Sequence, residues 1–141
     1  EKCGYYGEKL VLFAQELGLN TCWVAMTYSK IKTAFQVEKG EKLCIVIALG
    51  YGETQGLPHK SKSMEEVIQL DGPAPEWFQK GVEAALLAPT AMNQQKFLFR
   101  LDKNRVSVKA GFGFYTKIDM GIVKYHFEIG AGKEHFQWEL S

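Results

Sequence analysis

Residues 88–97 run Ala88-Pro89-Thr90-Ala91-Met92-Asn93-Gln94-Gln95-Lys96-Phe97, and the fold turns on what lies either side of them. Upstream, Phe78, Val82, Ala85 and Leu86 recur on one face at helical spacing, behind Pro75, which suits a helix start. Pro89 cannot continue the ladder and restricts the residue before it, so that helix stops near this point. Downstream, residues 96–101 (KFLFRL) and 105–110 (RVSVKA) predict two strands joined by the turn Asp102-Lys103-Asn104. The quoted string therefore joins a helix to a hairpin. Its Thr90, Asn93 and Gln94 supply hydroxyl and amide groups without net charge. Such a set can hydrogen-bond the edge of a heteroaromatic ring without charging it. A plain polar loop is the other reading of the same residues.

Further out, Leu10, Phe13, Ala14 and Leu17 give residues 5–18 the pattern of an amphipathic helix, with Gly18 as its stop. Residues 21–26 (TCWVAM) predict a short buried strand or extended segment, and Ser29 caps a short helix over 29–37. Residues 42–50 (KLCIVIALG) are apolar on both faces, the signature of a central strand covered on both sides. A Gly-rich loop, 51–62, follows, and Ser63 to Glu66 has capping-box spacing. Beyond the hairpin, Asp119 is placed to cap a third helix carrying Ile118, Ile122, Tyr125, His126 and Ile129 on one stripe; His126 reads as a core histidine there. Gly130-Ala131-Gly132 ends that helix, and residues 135–140 predict a last strand. This order is α+β rather than strict βαβ alternation.

The 51–62 loop ends in Pro58-His59-Lys60-Ser61-Lys62, after a strand and before a helical turn. Two lysines flanking a serine beside a histidine form a small anion cradle; a solvated basic loop is the alternative. The remaining motifs fail. Gly130-Ala131-Gly132-Lys133 lacks the earlier glycine and the hydroxyl of a phosphate loop, and Gly111-Phe112-Gly113 lacks the final glycine of a dinucleotide fingerprint. In 141 residues, 17 Lys+Arg against 16 Asp+Glu leave a net charge of +1, so no basic excess favours nucleic acid as a partner. No apolar run is long enough to predict a membrane span. Cys3, Cys22 and Cys44 are odd in number and without CxxC spacing, which fits a reducing cytoplasm without disulfide framework or metal site; Cys22 and Cys44 are expected buried.

Taken together, the strings carry a resemblance. APTAMNQQKF resembles the AP(S/T)A-x-N-x-Q motif of the flavin-dependent nitroreductases. Leu17-Gly18-Leu19-Asn20-Thr21-Cys22-Trp23-Val24 resembles their helix-to-strand junction, Ile47 to Gly52 their strand end, and His59 to Ser63 their basic C-terminal loop. Here the APTAMNQQ string follows the junction instead of preceding it, and Asp119-Met120-Gly121-Ile122 looks like a second copy of the helix before it. That order resembles the TM nitroreductase family, in which two such halves are fused into a pseudo-dimer; the letters do not denote transmembrane. The resemblance implies an FMN-dependent nitroreductase-like fold, a central, mainly antiparallel sheet flanked by helices. Residues 1–70 would be the C-terminal part of a first half and 71–141 a second half. The chain opens at Glu1 with a helical pattern already under way, so the expected pseudo-dimer is N-terminally truncated.

The same resemblance implies the chemistry. NAD(P)H gives hydride to N5 of FMN, and an electron-poor acceptor such as a nitroaromatic or quinone then takes the electrons, with no side-chain acid or base required. Backbone groups of Trp23, Val24, Ala25 and Met26 would face the ring; His59, Lys60 and Lys62 would lie at the phosphate; Pro89, Thr90, Ala91 and Asn93 would close over the ring. The family's basic RRSxR-type opening is absent from this chain, which predicts weak FMN binding and self-association through the face so exposed. A non-catalytic module of the same fold, holding flavin or another planar ligand, is the rival reading.

Overall fold

Glycines at matched positions on two amphipathic helices bring their backbones together over a small sheet. The structure, a computed structural model, describes residues 1–29, 31 and 35–139. Its elements are α1 (Lys2–Glu16), β1 (Asn20–Val24), β2 (Val46–Gly50), β3 (Ile68–Gln69), α2 (Glu76–Ala85), β4 (Phe97–Asp102), β5 (Arg105–Ala110), α3 (Thr116–Ala131) and β6 (Gln137–Trp138). Short 3-10 turns stand at Met64–Glu66 and Ala91–Asn93. The mixture is α+β, as expected. Two compact units form: Glu1–Lys9 with Leu57–Ser141, and Leu10–Gly56. Residues 57–70 thus fold with 71–141.

In the first unit the strands lie in the order β3-β4-β5-β6. The predicted hairpin supplies the longest ladder, antiparallel from Phe97↔Ala110 to Asp102↔Arg105, and β3 and β6 flank it in short parallel pairings. Lys103 takes the left-handed turn position at φ 57°. A Cβ on Gly81 would meet Phe127 at 2.6 Å, and one on Gly130 would meet the Lys80 carbonyl at 2.3 Å, so α2 and α3 cross at near backbone contact. Phe127 is the hub beneath that crossing. It stacks on Phe99 at 4.8 Å between centroids and meets Phe78, Phe136 and Trp138 edge-on or tilted. Phe78, Phe99 and Phe127 are fully buried. The N-terminal turns of α1 lie against α3, where a Cβ on Gly4 would fall 2.0 Å from the Ile118 carbonyl oxygen. His126 is buried, as its stripe predicts. Its Nε2 is 2.7 Å from Glu8 Oε1 and its Nδ1 3.2 Å from the Ala84 carbonyl. A carbonyl only accepts, so Nδ1 carries hydrogen.

In the second unit β1 and β2 pair antiparallel from Asn20↔Gly50 to Val24↔Val46. The Asn20 side chain ties the loop beyond β2 by accepting from Gly52 N at 2.9 Å.

Several expectations are corrected. The strand expected over 42–50 begins at Val46 and lies in a two-stranded sheet, where Ala48 and Leu49 are exposed. A two-stranded ladder does not cover both faces of a strand as a larger, layered sheet covers a central one. Cys22 and Cys44 are accordingly exposed, not buried. Leu10, Phe13 and Leu17 are exposed, and on α1 the buried residues are Gly4, Glu8, Val11 and Ala14. Ile129 on α3 is also exposed. The final strand shortens to Gln137–Trp138. The helix expected over 29–37 falls on Lys30 and residues 32–34, which lie outside the described residues.

Candidate functional site

A helix end leaves its last carbonyls without partners inside the helix. After α2 the chain reaches Pro89, which brings no N–H to answer them. The basic loop does so instead. Ser61 Oγ donates to the Leu86 carbonyl at 3.1 Å, and His59 Nε2 lies 3.4 Å from the Leu87 carbonyl. The two stretches singled out in sequence, 58–62 and 88–95, are therefore one structure.

Gln95 is the knot between them. It is 3% exposed. Its side-chain oxygen accepts from Lys62 N at 2.9 Å, and its amide nitrogen donates to the Lys60 carbonyl and to Asn93 Oδ1, each at 2.8 Å. Its backbone N–H donates to Thr90 Oγ1 at 3.0 Å, and its carbonyl accepts from the Lys62 ammonium at 3.0 Å. Asn93 Nδ2 reaches the Lys60 carbonyl as well, at 2.9 Å. The backbone pays for this compactness in strain: Met92, Asn93 and Gln95 hold φ of 54°, 50° and 43°, the left-handed region that side chains resist.

The opposite side of the turn is held by Asp119. Its carboxylate accepts from Ala91 N at 3.0 Å and from Gln94 Nε2 at 2.7 Å. Asp119 is therefore not the helix cap expected from sequence. Helix α3 starts three residues earlier, behind Tyr115, and the carboxylate is spent on the turn. Burial raises the Asp119 pKa above its ordinary value; the hydrogen bonds from Ala91 and Gln94 oppose the rise. Gln94 Nε2 also donates to the Phe114 carbonyl at 2.7 Å, and Lys96 Nζ to the Phe112 carbonyl at 2.8 Å. These bonds hold a loop on which Phe112 and Phe114 stand exposed.

Of the residues predicted for the site, His59, Lys60, Lys62, Pro89, Thr90, Ala91 and Asn93 come together in the first unit. Trp23 and Val24 lie on β1 opposite Ile47 and Val46, and Ala25 and exposed Met26 follow that strand, all in the second unit. The candidate site residues left out Gln95, although it is the closing glutamine of the AP(S/T)A-x-N-x-Q motif, and the part played by Asp119 was missed. The motif marks Gln95 but says nothing of its burial or partners, and an aspartate near a helix start looks like a cap.

A family model described as "Putative TM nitroreductase" matches residues 1–131. The chain belongs to this nitroreductase family. Among solved structures, a putative nitroreductase from Thermotoga maritima superposes with a TM-score of 0.70 at 24% identity, over 90% of this chain and 52% of that one. The nitroreductase-like fold is thereby shown, and the chain spans about half the length of that relative. No curated protein matches the chain. Among the described residues of this family member, no helix is long and apolar enough to cross a membrane.

Proposed function

We propose that the chain forms part of an FMN-dependent oxidoreductase that takes hydride from NAD(P)H and passes electrons to an electron-poor acceptor such as a nitroaromatic or quinone. One observation carries the reading. A loop bearing two lysines is docked by a buried glutamine onto a turn of uncharged hydrogen-bonding residues. A flavin mononucleotide is an uncharged ring system joined to a phosphate, and the donor set fits both ends. When bound, FMN would supply the two-electron chemistry that no side chain here offers.

The chain's own residues hold and shield. The exposed Lys60 ammonium and the two N–H groups that Lys62 does not spend on Gln95 are donors for phosphate oxygens. His59 Nδ1 is buried without a hydrogen-bond partner among the described residues, within the same loop. The Thr90 hydroxyl accepts from Gln95 and retains its own hydrogen to donate. Pro89 and Ala91 present apolar surface next to it. The Asn93 amide is committed to Lys60 and Gln95, so it acts by fixing the turn. The family's assignment of Trp23, Val24, Ala25 and Met26 to the ring belongs to the same proposal and rests on their motif.

The test is a titration of FMN with the purified chain, followed by flavin fluorescence, and then NADH and NADPH oxidation with a nitroaromatic or quinone present. Quenching with acceptor-dependent oxidation is expected. Quenching without oxidation would reduce the reading to a flavin-binding module, and no quenching would end it.

A further inference from the structure

The Gln95 side chain makes bonds to both candidate ends of the site, and both of its amide hydrogens are committed. Its oxygen faces a donor, Lys62 N, and both amide hydrogens face acceptors, the Lys60 carbonyl and Asn93 Oδ1. No other uncharged side chain of that reach offers one acceptor and two donors in a plane except its homologue asparagine, which is one carbon shorter. Gln94 next door is the same residue type, yet its amide goes to Asp119 and Phe114 and leaves the lysine loop alone. The position and not the composition therefore selects the function.

Resting on the FMN reading above, we infer that Gln95 is a positioning residue that sets the lysine loop in register with the 88–93 turn, and so sets the preference for a phosphorylated flavin over the bare one. It need not touch the ligand. It fixes the backbone of Lys60 and Lys62 from which their ammonium groups reach out. A glutamate there is nearly the same shape but has no hydrogen to give, so it would set a carboxylate oxygen against the Lys60 carbonyl and Asn93 Oδ1, and the loop would be pushed off. The ring-binding turn keeps its separate anchor on Asp119.

The experiment compares FMN with riboflavin, which lacks only the phosphate, by fluorescence titration of the parent, Gln95→Glu and Gln95→Met. The parent is expected to prefer FMN. Both variants are expected to lose about tenfold of that preference, the equivalent of roughly one charge-assisted hydrogen bond, while riboflavin affinity changes little. General loss of structure would lower both affinities together, so the ratio separates positioning from folding. If Gln95→Glu does not fold, Gln95→Met carries the same criterion. A ratio equal to the parent's in the folded variants would overturn the inference and leave the flavin reading intact, as would a parent that binds both flavins alike. A parent that binds neither removes the flavin reading and this inference with it.

Discussion

The aromatic layer around Phe127 and the polar knot around Gln95 both belong to the first unit, yet they obey different physics. In the layer, Phe78, Phe99, Phe127 and Phe136 gain from contact in almost any direction, and area removed from water sets the energy. In the knot, each donor has one acceptor, and a displaced atom loses its bond outright. The layer can hold two helices on a sheet but cannot choose which oxygen faces which nitrogen. The knot can, and it does so while forcing Met92, Asn93 and Gln95 into left-handed backbone. Stability is thus concentrated in one region and positional accuracy in the other.

The hardest blow to this contrast is struck in the layer. Phe127→Ala should cost about 3–5 kcal/mol, since it empties a site with aromatic neighbours on several sides. Gly130→Ala should also destabilise strongly, because the added methyl would meet the Lys80 carbonyl oxygen. Denaturant unfolding measures both. A shift within error for Phe127→Ala would mean that the layer does not hold the unit.

The next effect lies in the knot. Asp119→Ala leaves Ala91 N–H and the Gln94 amide without their acceptor, a loss of about 1–3 kcal/mol for a buried unsatisfied group. Asp119→Asn sharpens the point through pH. Burial raises the native pKa of Asp119 above its ordinary value of 3.8, so between those two values the native state binds the proton that the unfolded state has released. Its contribution is therefore fully present below 3.8 and is lost as pH rises through the native pKa. The parent should lose stability relative to Asp119→Asn across that acid window. Unfolding curves taken at successive pH values measure the difference, and a difference flat with pH would remove the role given to burial.

A smaller effect of opposite sign is expected at Met92, which is 87% exposed at φ 54°. Met92→Gly removes the left-handed penalty at the cost of added freedom in the unfolded chain, for a net gain of at most about 1 kcal/mol. Flavin affinity should fall at the same time, since the turn is less fixed. A clear loss of stability would instead show that the Met92 side chain packs.

The two regions were also unequally legible in the sequence. Helices α2 and α3 and the β4–β5 hairpin follow from apolar spacing and turn residues, which act over a few positions. The lysine loop and the 88–95 string each carried a chemical signature. Their union did not, because it depends on Gln95 reaching residues 33 and 35 positions away, a choice made by tertiary packing. Asp119 was misread because a carboxylate at a helix start has two possible partners, its own helix or a neighbouring turn. The Cys44 to Leu49 run erred the other way. Apolar residues state what a segment would gain by burial, not whether its sheet grows enough strands to bury it.

The weakest expected effect sits beside one of the strongest. Lys80 makes an i,i+4 ion pair with Glu76 at 2.7 Å, both side chains well exposed, while its backbone carbonyl forms part of the close crossing against Gly130. The pair lowers the Glu76 pKa through its hydrogen bond and charge contact with Lys80, but water and salt screen a contact this open. Lys80→Ala removes the ammonium and leaves the carbonyl, and alanine is a good helix former, so the unfolding midpoint should match the parent's within error in both low and high salt. A clear, salt-sensitive loss would mean that charge on the outer face of α2 contributes to the crossing, and the division between an apolar layer that stabilises and a polar knot that positions would need a third member.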